Sequence, residues 1–152
     1  MSANGREQPG WGYAIEGRPP ALLRAALTAA ARNGARPQPL PECNGEPCSW
    51  VRRVAECLHD GRCRAAVLFC EDAGVACCVA NKVPGVRAAA VGTVPQALRA
   101  MTRLAANLLV VETAGRTYYE FKELLRLCGE CPGCCPAEVA GVLEELDGHA
   151  HR

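Results

Sequence analysis

Two periods of apolar and polar residues alternate along this chain. Short apolar runs stand at Trp11 to Ile15, Ala65 to Phe69, Val86 to Val91 and Leu108 to Val111, each set off by polar or turn-forming residues. Runs of this length read as buried strands. Between them the spacing turns helical. Ala21 to Arg32 is rich in the strong helix formers Ala, Leu and Arg and stops at Asn33-Gly34. After Ser49, read as a cap, Trp50, Val51, Val54, Ala55 and Leu58 share one face, with Arg52, Arg53 and Glu56 opposite, and His59-Asp60-Gly61 closes the helix. Thr93-Val94-Pro95-Gln96 has capping-box spacing and opens a helix expected to reach Ala106. Thr117-Tyr118-Tyr119-Glu120 is a second box, before a face of Tyr118, Phe121, Leu124, Leu125 and Cys128. Pro136 fits the first turn of a last helix packed through Val139, Val142, Leu143 and Leu146. Arg36 to Glu42 holds three prolines, so a second strand there is short or at an edge.

Strands alternating with helices from end to end predict a three-layer, Rossmann-like α/β domain over residues 11–147, with a mostly parallel sheet of about five strands. Residues 1–10 read as a disordered lead-in and 148–152 as a tail. A chain of 152 residues has room for one core. Its net charge of +1 gives no electrostatic reason to expect a nucleic acid partner. No apolar run approaches the roughly 20 residues that span a bilayer, so no membrane is expected. The polar start MSANGREQPGWG lacks the apolar segment of an export signal, which makes the cytoplasm the expected location. Without export, the eleven cysteines do not suggest a disulfide framework. Cys57, Cys63, Cys70, Cys77 and Cys78 fall in or beside apolar segments, where a thiol behaves as a small buried hydrophobe.

Two thiol positions carry candidate chemistry. Cys70 ends an apolar run and precedes a loop and a short helix, and ligands of parallel sheets lie beyond the carboxyl ends of the strands. At such a rim Cys70 is a candidate general base, its pKa lowered by the helix terminus; the alternative is a small hydrophobe at a strand end. Cys128-Gly129-Glu130-Cys131-Pro132-Gly133-Cys134-Cys135 places several thiols on one loop. Cys128, Cys131 and Cys134, with Cys135, Cys43 or Cys48 as a fourth ligand, suit zinc or an iron–sulfur cluster; the alternative is a loop of reduced thiols.

Ala80-Asn81-Lys82-Val83-Pro84-Gly85-Val86-Arg87-Ala88-Ala89, behind a strand-terminal cysteine, resembles the A-N-K-V-P-G-I-R-A-A segment of the ribose-5-phosphate isomerase B family, which includes the galactose-6-phosphate isomerase subunits. Ala105-Ala106-Asn107-Leu108-Leu109 is similar to that family's D-A-N-V-L. The resemblance implies a homodimer that interconverts a small aldose phosphate and its ketose without cofactor or metal. It further implies Cys70 as the base moving the proton between C2 and C1. The loop Glu71, Asp72, Ala73, Gly74 and Val75 would supply amides to the enediolate oxygen, with Arg152 a candidate for the phosphate. The family's loop is G-T-G-x-G, whereas here two acids replace its start. The ring-opening histidine and asparagine of the family's E-H-N fall on Arg103 and Leu104, and its Asp-His pair after the first strand has no counterpart in Glu16-Gly17-Arg18-Pro19. Acids beside the thiol repel a thiolate, a phosphate and an enediolate alike. Two other classes therefore stand beside the isomerase: a non-catalytic member kept for binding or assembly, and a metal or redox module built on the 128–135 thiols.

Overall fold

A computed structural model describes residues 10–40, 43, 45–130 and 136–149. Five strands form one wholly parallel sheet: β1 (Trp11–Ile15), β2 (Gln38–Pro39), β3 (Ala65–Cys70), β4 (Ala88–Ala90) and β5 (Leu108–Glu112), in the order β2-β1-β3-β5-β4. The helices between them are α1 (Ala21–Arg32), α2 (Pro47–His59), α3 (Ala73–Ala80) and α4 (Val94–Arg99), followed after β5 by α5 (Tyr118–Gly129) and α6 (Ala137–His149).

Strand parity divides the core in two. In β3 every residue is buried, as expected of a central strand covered on both faces. Ala65, Val67 and Phe69 point to a layer made by α1, α4 and α5, where Phe69 meets Phe121 edge to face at 5.6 Å. Ala66, Leu68 and Cys70 point the other way, toward Trp50, Val51 and Val54 of α2 and Ala73 and Ala76 of α3.

The Asn81 to Arg87 segment is a structural clasp between α3 and β4. The Asn81 side chain accepts from the Ala88 amide at 2.8 Å and donates to the Ala88 carbonyl at 2.9 Å. Asn107, buried ahead of β5, accepts from the Arg87 amide at 2.7 Å and donates to the Gly85 carbonyl at 2.9 Å. Thus the two family-like segments, around Asn81 and Asn107, grip one turn from both sides.

Several local expectations are corrected. Pro47, not a residue after Ser49, opens α2, so Cys48 is helical; a proline in the first turn replaces a side-chain cap. Thr93 caps α4 through the Gln96 amide, but the Gln96 side chain accepts from Gly92, so the box is not reciprocal. The helix expected to reach Ala106 passes into a π-helical segment, Ala100–Leu104, and ends at Ala105 with φ of 47°. Thr117 and Glu120 do form a reciprocal box on α5. Tyr118 is exposed, and the face of α5 is completed by Leu127. On α6, Val142 and Leu146 are 56% and 58% exposed instead of packed. Cys78 is also exposed, while Cys57, Cys63 and Cys70 are buried.

Candidate functional site

The carboxyl edge of β1, β3 and β5 opens into a cleft of about 720 Å³ whose walls include Glu16, Arg18, Cys70, Glu71, Glu112 and Arg116. Its position follows from topology: these three strands are adjacent, and their chain exits bring Glu16, Glu71 and Glu112 together at one rim. The Glu16 amide bonds the Phe69 carbonyl at 2.8 Å, and Glu112 is the register partner of Cys70. Cys70 therefore has a carboxylate-bearing residue on the strand to either side.

The thiol itself faces inward. Even-numbered positions of β3 point to the α2–α3 layer, and Cys70 is 1% exposed there. Its Sγ lies 3.7 Å from the Val111 carbonyl, a weak hydrogen bond. Burial, then the nearby Glu16, Glu112 and Asp72 carboxylates, push its pKa from an ordinary 9.0 up to about 12. The expected lowering by the helix terminus is thereby reversed: the Asp72 amide favours the thiolate, but burial and three anions outweigh it.

Three amides of the loop already face carboxylates. The Glu71 N–H donates to Glu16 Oε2 at 2.9 Å, the Ala73 N–H faces Glu112 Oε1 at 3.4 Å, and the Val75 N–H donates to Asp72 Oδ1 at 3.2 Å. Asp72 is thus the N-cap of α3. Gly74 is exposed, and an added Cβ would meet only Asp72 Oδ1 at 3.4 Å, so no close approach demands glycine. Among the cations, Arg116 is spent on the Glu112 and Gly92 carbonyls and on Glu120 at 3.3 Å. Arg18 is exposed at the mouth and makes no ion pair among the described residues. Beside the cleft, a small cavity of about 120 Å³ is bounded by Glu16, Trp50, Glu71 and Asp72. The Trp50 indole N–H is buried with no acceptor among the described residues.

Of the residues singled out from sequence, Cys70 to Val75 come together at this rim. Arg152, Cys131, Cys134 and Cys135 lie outside the described residues. Cys128 is buried on the core face of α5. Among the described residues no three His, Cys, Asp or Glu side chains are grouped to hold a metal ion, and no helix is long and apolar enough to cross a membrane. Glu112 was missed by sequence reasoning, as was the part Glu16 plays. The signal was available: each is the first charged residue past an apolar run, where a parallel sheet puts its rim.

Comparison with known proteins agrees with this fold. The family model described as Ribose/Galactose Isomerase matches residues 47–126, just over half of the chain. No curated protein sequence matches. Among solved structures, ribose 5-phosphate isomerase B of Thermotoga maritima superposes with a TM-score of 0.75 at 14% identity, covering 91% of this chain and 97% of its own. The type B enzyme of Trypanosoma cruzi gives 0.75 at 19% identity, covering 95% and 99%. That of Mycoplasma genitalium, solved with bound ribulose-5-phosphate, gives 0.73 at 17%, covering 93% and 96%. At these identities the likeness is one of fold.

Proposed function

This chain belongs to the ribose/galactose isomerase family, and from that premise we propose that it is a non-catalytic member, one that keeps the fold and the rim cleft for binding a small ligand and does not carry out thiol-based aldose–ketose isomerisation. The observation that carries this reading is the state of Cys70. A base must reach its substrate ionised, whereas Cys70 is almost wholly buried with its Sγ turned to the Val111 carbonyl, and burial beside three carboxylates pushes its pKa up and disfavours the thiolate. The Glu71, Ala73 and Val75 amides already face carboxylates, and by the resemblance the family's ring-opening histidine falls on Arg103. On this reading the protein works as a cytoplasmic homodimer. The uncovered Val142 and Leu146 of α6 support a partner surface.

The active isomerase is the second reading, favoured by one observation: Cys70 lies in the wall of the cleft at the family's position, and a structural relative holds a phosphosugar. There Cys70 would move the proton on the opened sugar and Arg18 would take the phosphate, with Arg152 an additional candidate. One assay separates the two. Aldose–ketose interconversion is followed over a panel of pentose and hexose phosphates for the parent and Cys70→Ala. No turnover in either protein is expected; turnover in the parent that Cys70→Ala removes would overturn the proposal.

A further inference from the structure

A row of N–H groups at a strand-to-helix turn ordinarily attracts anions, because the donors converge and the helix dipole adds positive potential. In this chain the row is met from within. Glu16 arrives from the end of β1 and takes the Glu71 amide; Glu112 arrives from the end of β5 and faces the Ala73 amide. These contacts join residues 55 and 39 positions apart in sequence, so they are set by the sheet order and are not local turn geometry. Asp72 takes the Val75 amide.

Resting on the non-catalytic reading, we propose that Glu16 and Glu112 are resident anions that fill the oxyanion positions of the β3 rim, exclude phosphate and enediolate-like ligands from it, and leave the cleft selective for uncharged polyhydroxyl ligands. Two features beside the carboxylates point to hydroxyls. The cleft, about 720 Å³, is large enough for a sugar. Trp50, whose indole N–H is buried without an acceptor among the described residues, is one of the residues bounding the adjoining cavity with Glu16, Glu71 and Asp72. A hydroxyl both accepts and donates, so it satisfies an indole N–H and a carboxylate together; a phosphate only adds charge beside carboxylates. The cations do not reverse this, since Arg116 is committed to Glu120 and two carbonyls, leaving Arg18 at the mouth.

The test is equilibrium titration of inorganic phosphate and of ribitol into the parent and into E16A/E112A, by calorimetry, with E138Q on α6 as a charge control. The double variant is expected to bind phosphate at least tenfold more tightly than the parent, with E138Q unchanged and ribitol bound by the parent more tightly than phosphate. E16Q/E112Q, which keeps a hydrogen-bond acceptor at each amide and removes only the charge, covers the case in which the alanine pair does not fold; it is expected to gain about threefold. Equal phosphate affinity in parent and variants, or a parent that prefers phosphate to ribitol, would sink the inference. Neither readout depends on turnover, so Cys70-dependent isomerisation would remove the earlier reading while these titrations judge the rim carboxylates on their own.

Discussion

Asn107 illustrates how one side chain can hold an irregular segment in place. It is 8% exposed and pairs with the Arg87 amide and the Gly85 carbonyl, two backbone groups with no strand partner. Replacing it by alanine strands the Arg87 amide and leaves the Gly85 carbonyl only a long 3.4 Å contact with Arg87 Nη1, and an unpaired buried polar group costs roughly 1–3 kcal/mol. Asn107→Ala is therefore expected to lose about 2 kcal/mol in urea unfolding. Asn81→Ala, whose side chain is exposed and whose partners water can reach, should lose about 1 kcal/mol or less. Equal losses would contradict this ranking. The resemblance in sequence marked both asparagines, but only the structure distinguishes the buried one. Cys70 follows the same logic. Its place at a strand end is legible from the apolar run, whereas its inward orientation follows from strand parity combined with the seat of Trp50 on α2, a tertiary fact.

At the scale of elements, patterns carried by local chemistry were the readable ones. The bounds of α1 follow from its Ala/Leu/Arg run and Asn33-Gly34, and Thr117 with Glu120 marks the start of α5. The π-helical segment was not readable: nothing glycine-like stands at Ala105, which nonetheless has a positive φ and is buried. Nor does hydrophobic pattern fix the sheet order, which brings β5 between β3 and β4. Gly12 shows how closely two elements can be fitted. A Cβ there would lie 2.9 Å from the Gln38 carbonyl oxygen and 2.8 Å from Leu40 Cγ, so β2 would have to move. Gly12→Ala is expected to destabilise the protein by about 1–3 kcal/mol and to speed hydrogen exchange at the Leu40 amide, which bonds the Tyr13 carbonyl. Unchanged exchange at Leu40 would refute the steric account. The β1–β3 ladder, with five register pairs, should stay protected.

The whole molecule stores an alkaline liability in its thiols. Cys43 and Cys63 are pushed up to about 11, and Cys70 to about 12, each mainly by burial, from an ordinary 9.0. Folding thus favours the protonated forms. The contribution is intact below pH 9 and drains away as pH rises toward 11 to 12, because the unfolded chain ionises first. Each such thiol costs at most about 1.4 kcal/mol per pH unit in that window. Urea midpoints measured from pH 8 to 10.5 should fall above pH 9, less steeply in Cys63→Ala; a flat profile would refute the assignment. The sheet's margins bear on a different hazard. β2 offers two residues and β4 three, beside five- and six-residue strands within. Such stubs give a foreign strand almost no ladder to zip onto, the short-edge arrangement by which sheets discourage templated growth.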